Sequence, residues 1–143
     1  MKTVFKSFSV FAIFLFLFSC GESKEEANQR LRAEVIQIHD EVMPFMGDLK
    51  SLRKEIVAKA DELKSSSESD NTQKVQELIL LAKQLDEAFD GMFVWMRQFK
   101  QSTDDMSEEE VEIYLLEQRE MVQKVHDDIT SAIEKANSEL GKY

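Results

Sequence analysis

Residues that interrupt helices or cross-link a chain are almost absent from this sequence, which has one proline, four glycines and one cysteine among its 143 residues. A single cysteine cannot form a disulfide within the chain, so a disulfide-stapled fold is excluded. Scarce proline and glycine, together with 32% charged residues, are typical of long amphipathic helices rather than of sheets. The composition therefore predicts an all-α fold.

The sequence patterns that mark active sites are also missing. There is neither a glycine-rich phosphate loop nor an HExxH zinc motif. Runs of acid such as Glu108–Glu110 fit solvated helix faces, so we assign no catalytic residue and expect that the protein is not an enzyme. The formal net charge of −10 repels phosphate backbones, and no nucleic-acid partner is expected.

The one strongly apolar run, Val10–Phe18, is nine residues long and follows a short segment with two lysines. A membrane-spanning helix needs roughly 20 residues to cross a hydrocarbon core of about 30 Å, so this run is too short. A basic segment, a short apolar run and small residues after it make a secretory signal peptide. We therefore predict that residues 1–19 are a cleaved signal peptide.

The apolar run ends in Leu17-Phe18-Ser19-Cys20, which resembles the lipobox of bacterial lipoproteins. The matching features are a leucine three places before the cysteine, a small residue directly before it, and the cysteine itself. Phe18 is larger than the residues usual at its position. The resemblance implies that diacylglycerol is attached to the Cys20 thiol and anchors the protein, since each buried CH₂ of an acyl chain contributes about 0.8 kcal/mol.

The residues after Cys20 bear on location. Ser23–Glu26, a lysine followed by two acids, resembles the export signal of surface-displayed lipoproteins of the Bacteroidota. The same residues also fit an acidic tether that leads into a helix. We expect residues 20–27 to form the lipidated N-terminus and tether, and the protein to be anchored in the outer membrane. Both a periplasm-facing and a surface-exposed orientation remain open.

Three segments with helical periodicity follow, at about residues 25–65, 71–101 and 107–140. Ser107 and Glu110 have the spacing of a capping box that opens the third segment, and Gly141 is a stop signal. Each segment has one apolar seam. The seam of the first segment is Leu31, Val35, Ile38, Val42, Phe45, Leu49, Leu52, Ile56 and Leu63, and that of the second is Val75, Leu78, Ala82, Leu85, Phe89, Met92, Met96 and Phe99.

Short loops between three such helices predict an antiparallel three-helix bundle formed by residues 28–143. This heptad-rich pattern resembles small coiled-coil-like helical envelope lipoproteins, a resemblance that implies no activity. Exposed apolar residues such as Ile79 and Leu116 leave a homo-oligomer open. The partners expected are thus the membrane, through the lipid, and a protein that the sequence does not identify.

Methionines of the first two helices are expected to meet in one layer near Pro44, which kinks the first helix because proline lacks a backbone donor. Loops near residues 65–71 and 101–108 set the register of the bundle. One histidine and four methionines then lie around one level: His39, Met43, Met46, Met92 and Met96. In the same register Met121 lies beside Ala88. His126 lies level with Lys83 and near Arg53, roughly 15 Å along the bundle from Met43.

Three interpretations of this layer remain open. Flexible methionines suit the irregular core left by a kink. Thioether and imidazole groups also suit Cu(I), and a His/Met pair can hold haem. A groove for a hydrophobic ligand is the third. Apart from the lipid on Cys20 we assign no cofactor, and the leading functional prediction is a lipid-anchored envelope protein with a non-enzymatic interaction or structural role.

Overall fold

The computed structural model describes residues 22–66 and 71–142. The predicted signal peptide and Cys20 lie outside the described residues. Within them the predicted all-α class is confirmed, since every regular element is helical: α1 is Lys24–Val42, α2 is Met46–Ser65, α3 is Thr72–Gln98 and α4 is Glu108–Leu140. None of these described helices has the length and apolar character needed to cross a bilayer.

Two helices begin with reciprocal side-chain caps. At α4 the Ser107 Oγ accepts a hydrogen bond from the Glu110 N–H, and the Glu110 carboxylate accepts one from the Ser107 N–H, so the predicted capping box is confirmed. Ser23 and Glu26 make the same arrangement at α1. The helix therefore begins at Lys24, and the last four residues of the predicted tether are helical.

The first long helix is interrupted rather than continuous through Pro44. Residues Met43–Phe45 form a 3₁₀ turn between α1 and α2. The Met43 N–H still donates to the His39 carbonyl, and the Met46 N–H donates to the Met43 carbonyl, three residues back. Proline has no N–H to continue the α-helical pattern, and the tighter turn satisfies its neighbours instead. After this break the chain changes its neighbours: α1 packs mainly on α4, whereas α2 packs on both α3 and α4.

Side-chain contacts define the direction of α3. The Asn71 Nδ2 donates to the Leu63 carbonyl at 3.3 Å, close to the loop between α2 and α3. Farther from that loop, the Arg53 Nε is 2.7 Å from Asp86 Oδ2. From the first contact to the second, the residue number increases on the α3 side and decreases on α2, so the two helices run in opposite directions.

Contacts with α4 define its direction in the same way. The Lys24 Nζ is 2.6 Å from Glu109 Oε1 near the starts of α1 and α4. At the other end, the Lys142 Nζ is 2.6 Å from Glu55 Oε2. The residue numbers of both partners increase from one contact to the other, so α4 runs in the same direction as α1 and α2. The start of α1, the loop between α3 and α4, and the start of α4 therefore lie at one end of the bundle.

The core follows the predicted seams with two local departures. Its largest fully buried side chains are Val35, Val42, Leu49, Ile56, Leu78, Leu85, Met92, Leu115, Val122 and Ile129. Phe45 was predicted to lie on the seam but is 43% exposed, because the 3₁₀ turn changes the angle at which it leaves the chain. Met96 was also predicted to lie on the seam and is 39% exposed, while Trp95 beside it is buried.

Candidate functional site

His39 lies in the last turn of α1, just before the break. Its Nδ1 is 2.8 Å from Asp40 Oδ1, and its ring centroid is 5.5 Å from that of Trp95 on α3. The Nε2 is buried and has no hydrogen-bonding partner among the described residues. A neutral imidazole that donates its Nδ1–H to a carboxylate keeps the Nε2 lone pair for another ligand. In that tautomer His39 offers an unpaired acceptor on a ring that lies beside Trp95.

Trp95 carries a second unpaired nitrogen. Its side chain is 3% exposed, and its Nε1 is buried without a partner among the described residues. Buried tryptophans usually pair this N–H, and an unpaired buried polar group costs about 1–3 kcal/mol. Two rings in contact thus each contain a nitrogen that a further group would satisfy. This pair is the chemical feature that defines the candidate site.

The structure divides the four methionines expected at this level, together with Met121, into two groups. Met46 and Met92 belong to the buried core, and Met43 packs against it. Met96 and Met121 point outward, at 39% and 42% exposure. Met96 follows Met92 by one helical turn but lies at the surface. The ligand set of His39, Met43, Met46, Met92 and Met96 stays a prediction, and within it Met43, Met46 and Met92 are the methionines that lie in or against the core.

An aromatic stack continues from the site towards the loop between α3 and α4. The ring centroids of Trp95 and Phe99 are 5.0 Å apart, and those of Phe99 and Tyr114 are 6.2 Å apart. The guanidinium of Arg32 lies 5.5 Å from the Phe99 centroid. The Tyr114 Oη accepts a hydrogen bond from the Lys100 N–H at 2.6 Å. These contacts hold the loop against α1.

Sequence reasoning did not identify Arg32 and Tyr114 as neighbours of the site. One usable signal was present, because Arg32 and His39 are seven residues apart and therefore share a helix face. The position of Tyr114 near the site could not be predicted without knowing the register of α4. Arg32 and Tyr114 both contact the loop between α3 and α4: besides the Tyr114 bond, Arg32 donates to the Lys100 carbonyl at 3.1 Å and to Thr103 Oγ1 at 3.2 Å.

The predicted position of His126 is wrong. Its Nε2 is 3.7 Å from Glu41 Oε2, so it lies near the end of α1 rather than near Arg53. The register of α4 explains part of this error: Phe99 stacks on Tyr114, whereas the predicted register placed it beside Glu110. That four-residue shift is about 6 Å along the axis, but Glu41 and Arg53 are twelve residues apart, or about 18 Å of helix. The rest arises because the predicted level was reached through α3, whereas α4 contacts α1 directly here, through Arg119–Glu34 and His126–Glu41. His126 nevertheless meets α1 and Glu41, while His39 faces Trp95, so the two imidazoles have different partners.

Three surface grooves lie away from His39. One of about 400 Å³ is at the start of α1, one of about 300 Å³ lies between α3 and α4, and one of about 160 Å³ lies between α2 and the end of α4. Most of their lining residues are charged or polar, including Glu25, Arg32, Lys124 and Asp128. They give no support to a hydrophobic ligand at the level of Pro44. Residues 22–66 and 71–142 contain no group of three His, Cys, Asp or Glu side chains placed to hold a metal ion.

Displaced pKa values occur in helix caps and ion pairs. A hydrogen bond with Glu139 raises the pKa of Lys74, and the same bond lowers the pKa of Glu139. The Ser107 backbone N–H lowers the pKa of Glu110 by donating to its carboxylate. Each of these groups has a structural partner that accounts for its shift.

Comparison with known proteins finds no family model that matches this sequence, no matching curated protein and no matching solved structure.

Proposed function

We propose that this protein is anchored in the cell envelope by lipid on Cys20 and acts by contact with another macromolecule rather than by catalysis. The observation that carries the anchor is the place of the single cysteine, which directly follows Leu17-Phe18-Ser19 at the end of a signal-like apolar run. A lipid on that thiol would attach the chain to the membrane without a membrane-spanning helix.

The position of the first cap supports the same proposal. Only Gly21 and Glu22 separate Cys20 from Ser23, the residue that caps α1. Three residue steps span at most about 11 Å, so the start of α1 would stand close to the lipid headgroups. The loop between α3 and α4 lies at that end, while the α2–α3 loop lies at the far end. The long sides and the far end would then be open to a partner.

A non-catalytic role is supported by the chemistry of the described residues. The groups with displaced pKa values lie in caps, ion pairs and one amide–carboxylate hydrogen bond, that of Gln123 with Asp127, and these partners explain the shifts. Catalytic acids and bases are instead perturbed by burial and neighbours within a cleft. We therefore expect the protein to act through its helical surface.

The anchor is tested by growing cells with an alkyne-bearing fatty acid and measuring the label on the full-length chain. We expect label on the wild type and on Ser9→Ala, a matched change in the signal segment, and none on Cys20→Ala. Undiminished label on Cys20→Ala would refute the anchor.

A soft-metal role is the second candidate, and one observation favours it: the buried Nε2 of His39 has no partner, while its Nδ1 is held by Asp40. Cu(I) accepts imidazole and thioether ligands, so His39 would bind it with Met43, Met46 or Met92. Haem is less suitable. Met92 is 0% exposed and Trp95 is 3% exposed, so the interior would have to be displaced to admit a porphyrin.

Titration of the full chain with Cu(I) in detergent separates this role from packing. The two histidines provide a matched pair, because each has an aspartate next to it in sequence. We expect His39→Ala to weaken binding at least tenfold and His126→Ala to leave it unchanged. Absence of binding tighter than micromolar in the wild type, or equal effects of the two variants, would exclude the site.

A further inference from the structure

The outward face of α3 contains two pairs of exposed apolar side chains. Ile79 and Leu80 are 57% and 60% exposed, and Phe93 and Val94 are 38% and 42% exposed. Leu80 and Val94 lie opposite the buried Leu85 of the same helix. Ile79 and Phe93 lie along one side of this face, and the Phe93 ring packs on Phe89 with centroids 4.9 Å apart. Fourteen residues separate the two pairs, which is about 21 Å along the helix. Single exposed apolar residues are ordinary, but two adjacent pairs on one face form a pattern.

Charged residues occupy the same face between the two pairs. Asp86 is 2.7 Å from the Arg53 Nε, and Glu87 is 3.0 Å from the Lys83 Nζ, so both central acids are already paired within the chain. Asp90 is exposed and has no ion pair or hydrogen bond among the described residues. The face therefore contains a cation, two neutralised acids and an unpaired acid between apolar ends.

The pattern is self-complementary about a midpoint between Asp86 and Glu87: the apolar pairs lie equally far on either side, and Lys83 on one side corresponds to Asp90 on the other. If two α3 helices lie antiparallel about that point, Ile79–Leu80 of one copy meets Phe93–Val94 of the other. Lys83 of each copy then meets Asp90 of the other, and symmetry makes this contact twice. A two-fold interface requires such self-complementarity.

We propose that the outward face of α3 is the surface through which two copies of this chain associate. The charges select an antiparallel pair, because parallel helices would place Lys83 beside Lys83 and Asp90 beside Asp90. They also favour a second copy over an unrelated partner, because the unpaired Asp90 would meet Lys83, which lies on the same face and is held within its own helix by the exposed Glu87. The interface does not depend on the lipid anchor and goes beyond the proposed function.

Antiparallel association has a geometric consequence for an anchored protein. The α1 starts of the two copies lie at opposite ends of the pair. Two anchored rods would then lie along one membrane or join two facing membranes. A single helix face is small, so we expect dissociation constants in the micromolar range in solution, on the order of those of small transient interfaces.

The test uses the full chain in detergent micelles and measures its protein mass by sedimentation equilibrium. The variants are Lys83→Asp and Asp90→Lys. Each alone turns two opposite-charge contacts into two like-charge contacts, and we expect about tenfold weaker association. Mixed in equal amounts they restore both contacts in the heterodimer, so association should return towards that of the wild type.

Arg30→Asp, on α1 and far from the centre of α3, changes the net charge as much as Lys83→Asp and should associate like the wild type. Far-UV circular dichroism establishes that each exposed variant keeps its helices. The proposal is overturned if the wild type stays monomeric up to roughly 1 mM. It is also overturned if the two variants do not recover association on mixing, or if Arg30→Asp weakens it equally.

Discussion

Trp95 and Met96 are adjacent in sequence, yet one is 3% exposed and the other 39%. The structure predicts that truncating them has very different effects on stability. Trp95→Ala removes a buried ring that contacts His39 and Phe99, a change that typically costs about 3–5 kcal/mol. Loss of the unpaired Nε1–H relieves part of its burial cost and favours the lower end of that range. Met96→Ala should cost less than about 1 kcal/mol.

The assay is urea unfolding followed by far-UV circular dichroism, because Trp95→Ala removes the only tryptophan and with it the fluorescence signal. A loss of about 3 kcal/mol is a large share of the 5–15 kcal/mol that stabilises a typical domain, so the midpoint should move clearly. Equal losses for the two variants, or a larger loss for Met96→Ala, would refute the assignment of the α3 core face.

Three further predictions concern helix interiors, helix ends and pH. Gly91→Ala should raise the free energy of unfolding by about 0.5–1 kcal/mol, since the new Cβ would lie 3.9 Å from Val125 Cγ2, whereas Gly141→Ala should lower it because φ there is 66°. Thermal unfolding of both compares them directly, and a destabilised Gly91→Ala would contradict the packing described. Ser107→Ala should cost about 1 kcal/mol in the same assay by removing the cap of α4, and no loss would argue against the cap. The lowered pKa of Glu110 gives stability that is present above the ordinary glutamate pKa of 4.5 and is lost as pH falls through the folded-state value. The stability difference between wild type and Glu110→Gln should therefore shrink as the pH falls from about 6 to about 3, and a constant difference in urea midpoints would contradict this.

Helix positions and much of the core were predictable, because the apolar spacing specifies both. The error at Met96 has a physical cause. Met96 lies eighteen residues, or five full turns, after the buried Leu78, so helical periodicity alone places both on one face. The buried face turns to Trp95 instead, because its ring packs against His39 of α1, whereas most of α3 packs on α2. Residue spacing within α3 does not contain this change of neighbour.

The register of α4 was less predictable than its length. It depends on where α3 ends, and Gln98 precedes the predicted end at residue 101. The Phe99–Tyr114 stack and the Lys100–Tyr114 hydrogen bond establish the observed level. No local pattern contains such information, because Phe99 and Lys100 follow the end of α3, whereas Tyr114 lies fourteen or fifteen residues later in α4. This register error explains part of why His126 was expected beside Arg53 and lies beside Glu41, and the direct packing of α4 on α1 explains the rest.

The sequence pointed to the neighbourhood of Pro44 as the candidate site, but it did not give the polar contacts there. Pro44 indicated a distortion, and His39 was recognised beside it. The unpaired nitrogens of His39 and Trp95 arise only from how α1 and α3 face one another. Whether a polar atom finds a partner depends on a few ångströms of packing, which residue spacing does not determine.

Mass spectrometry of the N-terminal peptide, isolated from the membrane of cells that make the full chain, tests the central proposal most directly. The account predicts a peptide that begins at Cys20 and carries diacylglycerol through a thioether on its sulfur. A mature chain that begins at another residue, or a Cys20 with an unmodified thiol, would contradict it.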